Sequence, residues 1–79
     1  MSNRNVVVYT SDNCGESEKL VKKMNEWEIN YREKNVSVNR DHLKELQSKG
    51  IYGTPVTFID GSLVLGFQEN KLKHDLSYQ

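Results

Sequence analysis

The sequence predicts a small α/β fold of element order βαβαββα, in which a mixed four-stranded sheet is flanked by helices on both faces. Three observations lead there. An uninterrupted apolar run, Val6-Val7-Val8-Tyr9, has the pattern of a strand covered on both faces, and helical spacing replaces it from Gly15 onward. A polar extended stretch and a second helical pattern follow, so the first two strands are expected to pair in parallel through a right-handed crossover. Two further apolar runs are then separated by Asp60-Gly61, a dipeptide typical of a tight hairpin.

The first strand covers residues 6–9. In the first helix, from Gly15 to about residue 28, Leu20, Val21, Met24 and Trp27 share one face, while Glu16, Lys19, Lys22, Lys23 and Glu26 lie elsewhere. Residues 30–36 read as a polar strand; Arg32 and Lys34 suit a sheet edge, where their charge discourages pairing with another chain. Asn39 supplies an N-cap for a helix running through Leu43 and Leu46 to Lys49, and Gly50 stops it at C′. Residues 56–59 and 63–65 form the hairpin, and a last helix starts near Glu69 with Leu72 and Leu76 facing inward.

All 79 residues are assigned to one domain, 1–79, near the lower size at which packing alone sustains a fold. The formal net charge is zero and lysines are interspersed with glutamates, so no electrostatic footprint for nucleic acid or an anionic membrane is present. The apolar run near the N-terminus is too short for a signal-peptide core or a membrane span. A cytoplasmic location is therefore the default expectation, with which a lone free thiol, unable to form an internal disulfide, is compatible, and a monomer is expected. His42 and His74 read as solvated helix residues with no second ligand at metal spacing.

That one cysteine, Cys14, stands where the first strand gives way to the first helix. A thiol at a helix N-terminus faces unpaired backbone N–H groups and the positive end of the helix dipole, and both favour the thiolate. A hydrogen bond from Ser17 pushes the same way, while Asp12, Glu16 and Glu18 push back, so a modest lowering of the Cys14 pKa is expected. Glu16 and Glu18 themselves read as ordinary first-turn acids favoured by the dipole.

The motif Cys14-Gly15-Glu16-Ser17, the preceding Val8-Tyr9-Thr10, the turn Gly53-Thr54-Pro55-Val56 and the Gly66-Phe67 pair after the last strand, in this order, resemble the glutaredoxins along nearly the whole chain. The resemblance implies the thioredoxin fold, a cis Pro55, a catalytic pair of Cys14 and Ser17, and substrate contacts at Gly15, Thr54, Pro55, Gly66 and Phe67. The backbone of Thr54 would pair with a substrate's main chain beside Cys14. Phe67 also reads as core or rim packing.

Three departures from the family pattern bear on the chemistry. Ser17 stands where dithiol relatives carry a second cysteine, so a self-contained dithiol cycle is excluded. The motif resembles the Cys-Gly-Phe-Ser of monothiol glutaredoxins, with Glu16 in place of the aromatic. Asp12 stands near the usual glutathione-binding cation, and Gly66-Phe67 replaces a Gly-Gly, as in the small glutaredoxin-like hydrogen donors of ribonucleotide reductase.

The resemblance therefore implies a monothiol thiol–disulfide oxidoreductase that reduces mixed disulfides between a protein and a small thiol. Glutathione or another low-molecular-weight thiol is the cosubstrate, and no tightly bound cofactor is expected. Two alternatives belong to other classes. One is a [2Fe-2S] carrier, a glutathione-dependent dimer in which Cys14 is the only protein metal ligand from each chain. The other is a non-catalytic thioredoxin-fold domain that senses redox state through a Cys14 adduct.

Overall fold

The computed structural model describes residues 5–76. Along the chain run β1 (Val6–Thr10), α1 (Gly15–Glu26), β2 (Arg32–Asn35), α2 (Arg40–Ser48), β3 (Val56–Ile59), β4 (Ser62–Leu65) and α3 (Glu69–Leu76). The sheet order is β2-β1-β3-β4, with β1 and β2 parallel and the other two pairs antiparallel. The thioredoxin-like architecture expected from the sequence is the one observed, and the polar strand β2 lies at the sheet edge.

The alternation of side chains along a strand divides the interior into two layers. Val6 and Val8 of β1, with Ile59 of β3 and Val64 of β4, pack on one face against Leu20 and Met24 of α1 and Leu72 and Leu76 of α3. Tyr9 and Val56 pack on the other against Val36 and Leu46, joined by Val7 and Phe58. Helices α1 and α3 therefore share one face and α2 covers the other. Leu63 and Leu65 of β4 remain substantially exposed.

Helix ends follow backbone logic. After α1, Trp27 is the C-cap, Glu28 takes a left-handed conformation at φ 56, and the Ile29 N–H bonds to Met24 O at 3.0 Å. This Schellman closure ends α1 at Glu26, about a half-turn before the expected end, without a glycine to signal it. The same closure after α2 uses Gly50 at φ 77, as the sequence predicts, with Ile51 N–H on Leu46 O at 3.0 Å. Asn39 caps α2 by accepting from the Asp41 N–H at 2.9 Å. In the hairpin, Asp60 and Gly61 have φ of 51 and 91, the two positive values of a type I′ turn.

Tyr9 anchors α2 to the sheet. Its hydroxyl donates to Glu45 Oε1 at 2.9 Å, and Lys34 Nζ donates to the same oxygen at 3.2 Å while sitting 5.4 Å from the Tyr9 ring centroid. His42 Nδ1 is 3.9 Å from that oxygen and is buried. The expectation that His42 is simply solvated is thereby corrected: it lies on the side of α2 that meets this cluster.

Candidate functional site

Strand β1 ends at the sheet's C-terminal edge, and the chain must reverse there to enter α1. Asn13 makes the reversal with φ 58, a left-handed conformation that asparagine tolerates better than most residues. Cys14 follows as the N-cap of α1, extended at φ −110 and ψ 107, with its carbonyl accepting from the Glu18 N–H at 3.1 Å. Its side chain makes no cap bond of its own. The thiol is therefore presented at the helix end while the first-turn N–H groups stay available to it.

The loop carrying Cys14 is tied on two sides. Asp12 N–H donates to Ser37 Oγ at 2.9 Å, and Asn35 Nδ2 donates to Asp12 Oδ1 at 3.1 Å. The second of these bonds engages the Asp12 carboxylate with the Asn35 amide. On the other side, Ser11 Oγ and Thr54 Oγ1 share a hydrogen bond of 2.6 Å. Thr54 and Pro55 are joined by a cis peptide bond, as the resemblance implies.

Cys14 and Thr54 are in direct contact: Sγ donates to Thr54 O at 3.7 Å, and Thr54 Oγ1 donates to Sγ at 3.9 Å. Ser17 is 2% exposed, and in the resting thiol its Oγ has no hydrogen-bond partner among the described residues. Its proton is free for a thiolate. The Ser17 hydroxyl and then its backbone N–H are the strongest influences holding the Cys14 pKa below that of an ordinary thiol, with Thr54 and Ser11 assisting against the opposing effect of burial. The direction is the one expected from the sequence, and Ser17 is its first cause.

Beside this contact lies a groove of about 330 Å³ that includes Ile51, Tyr52, Thr54, Pro55, Leu65 and Gly66 in its lining. Among the described residues, no charged side chain lines it. Gly66 N–H donates to Pro55 O at 2.8 Å, fixing the groove's end to the cis-proline turn. A larger hollow of about 460 Å³ lies on the Asn13 and Ser17 side, where Asp12, Glu18 and Glu33 oppose Lys22.

Of the residues singled out from sequence, Cys14, Ser17, Thr54, Pro55 and Gly66 converge, and Gly15 opens α1 next to Cys14. Phe67 does not join them. It packs on the core and lines a separate hollow with Lys19, Lys22, Lys23 and Glu26. The packing role also read from the sequence matches this position, which lies outside the groove lining at Gly66. Three residues that the sequence reading passed over belong to the site. Ser11 supports Thr54, and Tyr52 and Leu65 form apolar walls at 77% and 52% exposure. A tyrosine immediately before Gly53-Thr54-Pro55 was the available signal.

Comparison with known proteins agrees with this geometry. The family model described as glutaredoxin matches residues 6–64. A point mutant of the thioredoxin-like protein BC3987 is 26% identical, with a TM-score of 0.89 over 95% of this chain and 97% of that one. The unmutated BC3987 is 28% identical, with a TM-score of 0.83 over 90% and 99%. A glutaredoxin from Archaeoglobus fulgidus, 19% identical, shares the fold with a TM-score of 0.80 over 91% and 85%. No curated protein sequence matches the chain.

Proposed function

The chain belongs to the glutaredoxin family, and from that premise we propose that it is a monothiol thiol–disulfide oxidoreductase acting on mixed disulfides between a protein and a small thiol. One observation carries the reading. The Cys14 thiol stands at a helix N-terminus in contact with Thr54 of the cis-proline turn, with its pKa lowered chiefly by Ser17.

In the first step the Cys14 thiolate attacks the small-thiol sulfur of the mixed disulfide. A Cys14–sulfur bond forms as the protein–sulfur bond breaks, and the departing protein thiolate takes a proton from water. In the second step a further small thiol, as its thiolate, attacks the adduct sulfur and releases the Cys14 thiolate with a small-thiol disulfide. The protein's sulfur returns to the thiol, and the incoming small thiol is the one oxidised, leaving joined in disulfide to the small-thiol group that the protein had carried. Ser17 has no thiol with which to resolve the adduct, so the second small thiol is required. The turn at Thr54-Pro55 would hold an extended segment of the substrate beside Cys14.

The small thiol is glutathione or another low-molecular-weight thiol. One chain carries every group the reaction uses, so a monomer suffices, and the supply of reduced thiol it needs points to a reducing compartment such as the cytoplasm. The [2Fe-2S] alternative draws less support from these residues: Cys14 is available as the one thiolate from each chain, but among the described residues the groove lining offers no ion-pair partner to hold an anionic small thiol firmly as a further ligand.

The test is coupled turnover of a glutathionylated peptide with wild type and Cys14→Ser. Turnover in the wild type that disappears in Cys14→Ser supports the enzyme. A wild type whose Cys14 is alkylated readily yet turns over neither this peptide nor hydroxyethyl disulfide sinks it.

A further inference from the structure

Among the described residues the groove beside Cys14 has no charged side chain in its lining, but a carboxylate stands at its end. Glu16 Oε1 lies 3.6 Å from where a side-chain carbon on Gly66 would sit, and Gly66 both lines the groove and bonds to Pro55 O. Glu16 is exposed, and among the described residues its carboxylate has neither an ion pair nor a hydrogen bond. Across the span from Thr10 to Glu18 the chain carries Asp12, Glu16 and Glu18 and no lysine or arginine. Asp12 is engaged by Asn35, and Glu18 lines the other hollow. Glu16 is thus an uncommitted charge at the groove's end. The nearest cations on the same helix, Lys19, Lys22 and Lys23, line the hollow behind Phe67.

We infer that Glu16 sets charge specificity for Cys14, favouring disulfides that carry a positive group near the reacting sulfur and disfavouring anionic ones. A lysine or arginine beside the disulfide of an extended protein segment is the matching substrate chemistry, with its apolar neighbours lying against Ile51, Tyr52 and Leu65. The first-turn acid expected from the sequence as a helix-dipole partner is thereby also a substrate-facing group. The inference deepens the monothiol reading and rests on Cys14 as its nucleophile.

The test follows single-turnover formation of the Cys14 mixed disulfide with three small disulfides of similar size: cystamine, hydroxyethyl disulfide and dithiodipropionate. They are cationic, neutral and anionic. Dividing each rate by that of the neutral compound cancels any change in Cys14 thiolate content. In Glu16→Lys at low salt, the cystamine ratio should fall and the dithiodipropionate ratio rise, each by about 3- to 10-fold, with Glu16→Gln intermediate and the effect fading as salt is added. Ratios that do not move, or that move equally in Glu18→Lys, overturn the inference. The outcome is separable from that of the function itself. Loss of coupled turnover with charge-dependent ratios intact removes the enzymic reading and leaves the charge preference standing, whereas flat ratios with normal turnover do the reverse.

Discussion

Cys14 and Thr54 contact each other in both directions, the thiol donating to the Thr54 carbonyl at 3.7 Å and the Thr54 hydroxyl donating to the sulfur at 3.9 Å. The same hydroxyl group shares a hydrogen bond of 2.6 Å with Ser11. Thr54→Val keeps the shape and removes the oxygen. It should raise the Cys14 pKa, read from the pH dependence of alkylation. Ser11 Oγ also loses its partner, which should lower unfolding stability by about 1 kcal/mol in urea titration. An unmoved thiol pKa would leave its lowering to Ser17 and the helix end.

Ser17→Ala should raise the Cys14 pKa more than Thr54→Val, because Ser17 is the first cause of its lowering. Stability should stay level or improve slightly, since the deleted hydroxyl is buried without a partner in the resting thiol. The sign of the pH linkage follows from the lowered pKa. The thiolate contributes stability that is fully present above the unfolded-state pKa and disappears as pH falls through the folded-state pKa. Unfolding midpoints of the wild type should therefore include a rise with pH across that window. The rise narrows in Ser17→Ala and vanishes in Cys14→Ser; identical profiles for all three proteins would remove Ser17 from this role.

On the opposite face, the Tyr9 hydroxyl and Lys34 both donate to Glu45, and they hold its carboxyl below the usual carboxylate range, Tyr9 first. Stability from this group is present above the unfolded carboxylate pKa and is lost as pH falls through the lower folded value. Thermal melting across the acid range should show a shallower loss for Glu45→Gln than for wild type. Equal slopes would mean that Glu45 contributes nothing to the acid limb.

The parts of this molecule legible in the sequence are those written locally. Residues 6–9 state a buried strand by composition, Asn39 and Gly50 state the two ends of α2, and Asp60-Gly61 states its turn by needing positive φ twice. Cys14 was legible because a single thiol at a strand-to-helix junction has few ordinary explanations. What escaped depends on residues distant in the chain meeting through the topology. Ser11 reaches Thr54, Tyr9 reaches Glu45, and Glu16 reaches Gly66 only once β1, β3 and the helices are assembled. Glu28 ending α1 escaped for another reason: a glutamate at positive φ carries no compositional signal, and the Met24 carbonyl that it helps to close is a backbone partner.

Leu72 is fully buried and joins α3 to the layer that also holds Leu20 and Met24. Leu72→Ala should cost about 2–5 kcal/mol through lost burial and the cavity left behind. At about 0.05–0.15 kcal/mol per residue, a chain of this length has roughly 4–12 kcal/mol in total. The variant should therefore melt far below the wild type, in circular dichroism, and be partly unfolded if the wild type lies at the low end. A small shift would show that α3 adjusts its packing on the sheet.

Gly66 adopts φ 73, and a side-chain carbon there would meet Glu16 Oε1 at 3.6 Å, an ordinary contact distance. Space is therefore available, and the resistance to substitution comes from the backbone. Gly66→Ala should lose about 1–2 kcal/mol, the usual cost of the left-handed region for a residue with a β-carbon. Gly66→Asn should lose less, because asparagine enters that region more readily. If alanine relaxes the strain by moving φ, the 2.8 Å bond from Gly66 N–H to Pro55 O stretches, and exchange at Cys14 should slow along with the fall in stability. Urea titrations of both variants decide the matter: an asparagine variant no more stable than the alanine one would place the cost in crowding against Glu16, and Glu16→Gln with either variant would then fail to behave additively.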